Sequence, residues 1–245
     1  MNTRQQDILN LTEKHGEITI KALAEALKVS EMTIHRDLDF LQDEKLIHKK
    51  RGAAVFIENS YRNSSDFYLK EKREIGKKAA TLLSQGQSVI FDNSTTAIEC
   101  ARCLDENISL TCYTTNLEIS QIISKNRNHI LYCSGGYYFP DSSGFIGKQA
   151  EDFVSQVKAD IAIVGASGIS LENGITNPYP MHNILQNKII HSAKRCILVA
   201  DHSKFDRTAM EKTAELSDID MIITDSGISE ELLEKYRKHI EIITV

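Results

Sequence analysis

No apolar run in this 245-residue chain approaches the ~20 residues a membrane-spanning helix needs. A helical membrane protein is therefore excluded. The opening "MNTRQQDILN" is polar from its start and carries no secretion signal, so a cytoplasmic protein is expected. Cysteine is sparse: Cys100, Cys103, Cys112, Cys133 and Cys196 are odd in number and widely spaced, which gives no disulfide framework. Cys100 and Cys103 form a lone C-x-x-C inside an apolar helical pattern. No second pair or histidine cluster completes a metal site there, so buried free thiols are expected, with no metal and no cofactor. What remains is ordinary soluble composition, 41% hydrophobic and 26% charged. The length admits one large domain, or a small domain joined to a medium one.

Charge is unevenly spread. The formal net charge is −5, yet residues 1–57 hold nine Lys/Arg against nine Asp/Glu. Residues 58–78 carry a net +2 and the remainder a net −7. Within the neutral part, "KLIHKKRG" concentrates Lys45, Lys49, Lys50 and Arg51, which suggests an anionic partner for one end only.

The first sixty residues read as helices followed by a hairpin. "TRQQDILNLTEKHG" is a helix with Ile8 and Leu11 on one face, Leu9 beside them and Gly16 at its end. "EITI" is a short extended piece. "IKALAEALKV" is a second helix with Ala22, Leu23, Ala26 and Leu27 available to face inward. In "VSEMTIHRDLDFLQ", Ile34, Leu38 and Leu41 recur at helical spacing, and Ser30 can cap the first turn. Arg36 then points away from the buried stripe, with Met32, Thr33, Asp39 and Phe40 also toward the outside and His35 on the flank. Two short helices joined by a tight turn make a helix-turn-helix. "KLIHKKRGAAVFI", alternating imperfectly around Gly52, fits a β-hairpin wing. Thr33, His35 and Arg36 are side chains able to reach base edges in a major groove, and Lys49, Lys50 and Arg51 are suited to flanking phosphates. The bland alternative is a three-helix interaction module that touches no DNA.

"ITIKALAEALKVSEMTIHRDLDFLQDEKLIHKKRGAAV" resembles the winged helix-turn-helix of DeoR-family bacterial transcription regulators, most clearly in "VSEMTIHRDL". That resemblance implies double-stranded operator DNA as a partner. Ser30, Met32, Thr33, His35, Arg36, Lys49, Lys50 and Arg51 form the expected contact set. The family usually has two consecutive arginines before the aspartate, and here His35 replaces the first.

After a polar stretch the pattern changes. "EKREIGKKAATLLSQG" is a helix, and apolar strands then alternate with helices: "SVIFD", "LTCYTT", "HILYCSGG", "ADIAIVGAS", "RCILVAD", "DMIITD" and "IEIITV". Such alternation predicts a largely parallel sheet covered on both faces. Polar residues gather where strands end, at Asp92–Thr96, Asn116, Gly135–Gly136, "GASG" and "ADHSK". Ligands of open α/β sheets bind outside the carboxyl ends of strands, and a hydroxyl-rich loop entering a helix suits a phosphate. Each loop alone is also an ordinary turn.

The resemblance extends through this part. The DeoR-family C-terminal sensor domain is similar in fold to ribose-5-phosphate isomerase, and most members sense a phosphorylated sugar. The family's D-S-G-T-T stands here as "DNSTT", and T-N, G-G, G-A-x-G-I and D-x-S-K-F persist at Thr115–Asn116, Gly135–Gly136, Gly165–Ile169 and Asp201–Phe205. Carried across, Ser94, Thr95 and Thr96, beside Asp92 and Asn93, would hold phosphate. Asn116, Gly135, Gly136, Ser167 and Lys204 would surround the sugar. Departures at Ser167, Met181, His182 and Gln186 imply an altered ligand or a reduced response, with a ligand-blind regulator as the alternative.

A sugar-phosphate isomerase with an accessory domain is the competing class. It needs a carboxylate base beside a C–H bond. "GASG" has none, and "LENG" supplies Glu172 without a lysine, so binding without turnover is expected. The expected organisation is a winged helix-turn-helix over 1–57, a linker over 58–70 and an α/β effector-sensing and oligomerization domain over 71–245. The expected function is an operator-binding regulator, a repressor of a carbohydrate-utilization operon, acting as a homodimer or homotetramer because one winged module covers little DNA.

Overall fold

A computed structural model describes residues 3–43, 46–56 and 68–245. The chain forms two compact units, Met1–Phe67 and Tyr68–Val245. Residues 58–67 of the expected linker lie outside the described residues, while Leu69 and Lys70 are already helical.

The first unit runs α1 (Thr3–His15), β1 (Glu17–Thr19), α2 (Ile20–Leu27), α3 (Glu31–Asp43), β2 (Ile47–Lys50) and β3 (Ala53–Phe56). The three strands form one antiparallel sheet in the order β1-β3-β2. The β2–β3 turn passes through Gly52 at φ 81°, a left-handed conformation that glycine adopts without a Cβ penalty. The Thr19 hydroxyl caps α2 by accepting from the Ala22 N–H at 3.2 Å. Ile8, Leu9, Ile20, Leu23, Ile34, Leu38, Leu41 and Ile47 make the core. Two helix faces differ from the sequence pattern. In α1 Leu9 is buried and Leu11 only partly so. In α2 the inward positions are Ile20, Leu23 and Ala24, while Ala26 is exposed. Short helices crossing at an angle bury patches set by their neighbours, which an ideal stripe does not capture.

The second unit centres on seven parallel strands: β4 (Ser88–Phe91), β5 (Thr111–Thr114), β6 (Ile130–Cys133), β9 (Ala159–Val164), β12 (Ala193–Val199), β14 (Met221–Thr224) and β15 (Glu241–Thr244). Their spatial order is β15-β14-β12-β9-β4-β5-β6. Successive residues of the central strands face opposite sides. Ile90, Ala162, Val164, Leu198 and Ile222 enter one core with α7 (Lys148–Ser155), α8 (Pro180–Ile190) and α9 (Glu230–Arg237). Val89, Phe91, Ile161, Ile163, Ile197 and Ile223 enter another with α4 (Leu69–Ala80), α5 (Thr95–Arg102) and α6 (Leu117–Ile123). This is the both-faces-covered sheet that the Ile/Val-rich strands require.

Two additions were not legible as strands. A hairpin, β7 (Tyr137–Phe139) and β8 (Gly144–Ile146), packs over the ends of β4 and β5, and the Phe145 N–H donates to the Thr115 carbonyl at 2.6 Å. A small antiparallel sheet joins β10 (Gly168–Ser170), β11 (Gly174–Asn177) and β13 (Glu211–Ala214). The thiols of Cys100, Cys112 and Cys196 are buried, but Cys103 is half-buried and Cys133, on the edge strand β6, is exposed. Among the described residues, no helix is long and apolar enough to cross a membrane.

α4 and α5 touch backbone to backbone at Gly76, where a Cβ would lie 2.8 Å from the Glu99 carbonyl oxygen. Gly76→Ala gains ~0.5–1 kcal/mol in helix propensity, but overpacking of this kind costs typically 1–3 kcal/mol. The clash wins, because backbone cannot swing aside as a flexible side chain can. A net loss of stability in urea unfolding is expected; an unchanged or raised midpoint would show that the helices separate freely.

Candidate functional site

The first unit presents a protruding helix surface. Ser30 caps α3, its hydroxyl accepting from the Thr33 N–H at 3.2 Å and lying 2.9 Å from the Thr33 hydroxyl. Ile34, Leu38 and Leu41 are fully buried, as their spacing requires. Met32, Arg36 and Phe40 follow one another at four-residue intervals on the outside, with Met32 66% and Phe40 37% exposed. Thr33 and His35 are half-buried on the flanks. Arg36 and Arg51 are exposed and have no ion-pair partner among the described residues.

The wing lysines differ from Arg51. Lys49 pairs with Asp39 of α3 at 2.5 Å, and Lys50 lies 3.4 Å from Glu17 of β1. The sequence also gave no notice of Asp37. It is buried, and it holds the Arg4 guanidinium at 2.6 Å and the Gln5 amide at 3.2 Å, fastening α3 to α1.

In the second unit, β4, β5 and β6 succeed one another outward, and the chain then returns to place β9 on the other side of β4. The boundary between β4 and β9 is thus a topological switch point, where diverging connections leave a crevice. Asp92 follows β4 there. Its Oδ1 accepts from the Ser94 N–H at 2.9 Å, and its Oδ2 accepts from the Gly165 N–H after β9 at 2.9 Å and from the Gln186 amide of α8 at 2.6 Å. Burial raises the Asp92 carboxyl above the usual carboxylate range, against the opposing effect of these donors.

Gln186 leads into a chain of neutral groups. Its Nε2 also donates to the Gly165 carbonyl at 2.9 Å, and its Oε1 accepts from Asn177 at 2.7 Å. Asn177 donates further to Thr213 at 3.0 Å and accepts from the Ser167 N–H at 3.0 Å. Thr213 donates to Asn183 at 2.6 Å. Gln186 and Ser167 were singled out from sequence; Asn177, Asn183 and Thr213 were not. Asn183, Gln186 and Asn187, spaced three and four apart within an apolar helix, were the signal for the rest. Beside them His182 is kept neutral, burial pushing it down to about 4, and it packs edge-on to Phe139 at 5.3 Å.

The remaining expected site residues divide. Ser94 caps α5 by accepting from the Ala97 N–H at 3.2 Å, and a Cβ on Gly165 would meet its Oγ at 2.5 Å, so the β4 and β9 loops are in contact. Asn93 is buried and accepts from Thr115 at 2.8 Å; Thr96 is buried and Thr95 half-buried. Asn116 departs from expectation as a sugar contact. It is fully buried, its Oδ1 caps α6 by accepting from Ile119 at 2.9 Å, and its Nδ2 donates to the Ser142 carbonyl at 3.0 Å. Its amide is therefore engaged internally. Gly135 and Gly136 follow the edge strand, and no hydrogen bond joins them to the Asp92 cluster among the described residues. Ser167 and Lys204 are half-buried.

After β12, Asp201 begins a short helical turn, His202–Lys204. His202 is held by Asp225 at the end of β14: its N–H donates to Oδ1 at 2.8 Å and its Nδ1 lies 2.7 Å from Oδ2. The hydrogen bond to Asp225 raises the His202 imidazole above its usual value, against burial. Burial would raise Asp225, but the His202 contacts outweigh it and hold the carboxyl below the usual range.

An outward recognition helix with a basic wing, on the same chain as a parallel α/β unit with polar loops at its strand ends, defines a two-domain DNA-binding regulator. The model of the DeoR-like helix-turn-helix domain matches residues 4–60, and that of the DeoR C terminal sensor domain matches residues 68–226. The chain belongs to the DeoR family of transcriptional regulators. It is 34% identical to the glycerol-3-phosphate regulon repressor of Haemophilus influenzae over 90% of this chain and 88% of that one. It is 33% identical to the HTH-type transcriptional repressor GlcR of Bacillus subtilis, over 89% of this chain and 86% of that one. Among solved structures, ribose 5-phosphate isomerase A from Methanocaldococcus jannaschii aligns with a TM-score of 0.42 and 16% identity, over 56% of this chain and 55% of that one.

Two outcomes follow. Gln186→Leu leaves Asp92, the Gly165 carbonyl and Asn177 each short of a buried partner, and a single such loss costs roughly 1–3 kcal/mol. A lowered urea midpoint is expected, and an unchanged one would show that the network is not stabilising. For His202, protonation contributes stability that is fully present below the unfolded value of about 6.5 and is lost as pH rises through the raised folded value. Asp225 contributes above about 3.9 and its share is lost as pH falls through its lowered folded value. The pair is therefore strongest between about pH 4 and 6.5. Thermal melts from pH 5 to 9 should show wild type declining more than His202→Gln; parallel curves would refute the pairing.

Proposed function

We propose that this chain is a repressor of a carbohydrate-related operon, and that a phosphorylated sugar bound at the carboxyl ends of β4, β9 and β12 changes its hold on operator DNA. The observation that carries the reading is the meeting of the β4 and β9 loops at the switch point, beside the start of α5, in a chain that also carries a recognition helix. Thr95 and the first free N–H groups of α5 suit a phosphate, and Lys204 supplies a cation from the β12 end. Ser167 offers a hydroxyl for the sugar. The relatives' names, a glycerol-3-phosphate regulon repressor among them, support the same class of effector.

On the DNA side, Arg36 is the base-reading residue, flanked by Met32, Thr33 and His35, and Arg51 is the phosphate contact of the wing. The protein works in the cytoplasm as a homo-oligomer on paired half-sites, since one winged module spans too little DNA for operator specificity.

A second reading, a ligand-blind regulator, is favoured by the amide network around Gln186, which satisfies its own donors and acceptors. Calorimetry with a panel of sugar phosphates, then gel-shift titration on DNA flanking the gene, decides between them. Thr95→Ala should remove effector binding and leave operator affinity intact. If no sugar phosphate binds at millimolar concentration, the ligand-blind reading stands. Arg36→Ala should lose ~1–3 kcal/mol of specific binding. Arg51→Ala should flatten the log–log salt slope by about 0.9, and Lys49→Ala by less, because Lys49 already has Asp39. Equal slopes for the two variants would count against this assignment.

A further inference from the structure

The Asp201–Lys204 turn has a second attachment that the binding site does not require. The His202 ring meets the Tyr68 ring edge-on, with centroids 4.9 Å apart and planes at 78°. Tyr68 is the first residue of the second unit and sits at the head of α4. Its φ of 52° is left-handed, a conformation that is uncommon and unfavourable for a bulky side chain. A tyrosine held there needs surrounding contacts to keep it. Its carbonyl accepts the Lys72 N–H at 2.8 Å, which sets the first turn of α4.

The other side of His202 is fixed with equal care. Asp225 takes both its backbone N–H and its Nδ1, and the Gly227 N–H donates to Asp225 Oδ2 at 2.9 Å. Gly227 leaves the room for this, since a Cβ there would lie 2.4 Å from His202 Nδ1. The imidazole thus has little freedom to rotate. The neighbouring Ser203 is tied to Asp201, its N–H donating at 3.1 Å, so the turn moves as a piece. Displacing the turn at Lys204 or Ser203 must therefore strain the His202–Asp225 contacts, and with them the ring on which Tyr68 packs.

We infer that His202, locked by Asp225, is a positioning residue that transmits occupancy of the β12 strand-end turn to Tyr68, the residue through which the chain enters the sensor unit. The inference rests on the sugar-phosphate reading for its trigger, but the mechanical link exists without ligand. The link needs no global rearrangement. The structure shows Tyr68 packed on His202; its release from the left-handed position is the second state that the inference requires ligand to bias.

The experiment has two arms, both on the full chain. In the ligand-free arm, amide exchange of the 68–75 segment is measured in wild type, His202→Ala, Tyr68→Ala and the double variant. The relay predicts several-fold faster exchange in each single variant and no further increase in the double. Unchanged exchange in His202→Ala overturns the inference whatever the ligand does. In the second arm, operator affinity is titrated with and without 10 mM glycerol 3-phosphate, and probe binding is measured by calorimetry. Tyr68→Ala should bind the probe as wild type does but lose the 5–150-fold shift typical of coupled sites, and Tyr68→Phe, which keeps the ring, should restore it. A full shift in Tyr68→Ala overturns the relay. If wild type does not respond to the probe, sensing of this compound fails, and the exchange arm alone decides the relay.

Discussion

The hydrogen bond from the Gly165 N–H to the Asp92 carboxylate, 2.9 Å long, holds together the ends of two strands whose connections run in opposite directions. Everything at the crevice is arranged around it. The carboxylate is buried, so it must be surrounded by donors. Ser94 supplies one from its own loop and Gln186 another from α8, and this fixes where both elements begin and how closely they approach. Gly165 lies so close to the Ser94 hydroxyl that no side chain fits between the loops. The meeting of the β4 and β9 loops is thus set by satisfying one buried carboxyl group, while Thr95, Ser167 and Lys204, which follow the ends of β4, β9 and β12, stay partly exposed.

That meeting point is polar without compensating positive charge. The groups around Asp92 are amides, hydroxyls and backbone N–H groups, and each link from Gln186 through Asn177 and Thr213 to Asn183 is a neutral hydrogen bond. Amide chains orient strongly but offer an incoming anion no net attraction. The nearest sources of positive potential along these strand ends are the start of α5 and Lys204, not the network. His182, neutral and packed edge-on to Phe139, adds a further uncharged group, with its Nε2 3.4 Å from the Ser142 hydroxyl.

Much of this was readable beforehand, for definite reasons. Ile34, Leu38 and Leu41 have one consistent period, so α3 and its outward Arg36 followed from spacing. The Ile- and Val-dense segments could be little other than buried parallel strands, and their carboxyl ends shared an edge by topology. What escaped were features whose signal is non-local. The β7–β8 hairpin and the β10-β11-β13 sheet are built from three- and four-residue strands, too short for any period. Asn116 reads as a ligand residue because caps and ligand contacts draw on the same side chains; its cap on α6 and its bond to the Ser142 carbonyl were not legible. The Asp37–Arg4 tie and the Tyr68–His202 contact join positions far apart in sequence, and no pattern within either segment announces them.

The wing is also less cationic in practice than its "HKKRG" suggests. Lys49 and Lys50 each face a carboxylate of their own unit, and residues 1–57 hold as many acidic as basic side chains. To reach a phosphate these lysines must exchange one anion for another, which yields little net attraction. The long-range pull that the two lysines exert on an arbitrary stretch of duplex is reduced accordingly. Selection among duplex sequences then rests on the fit of α3 more than on the charge of the wing.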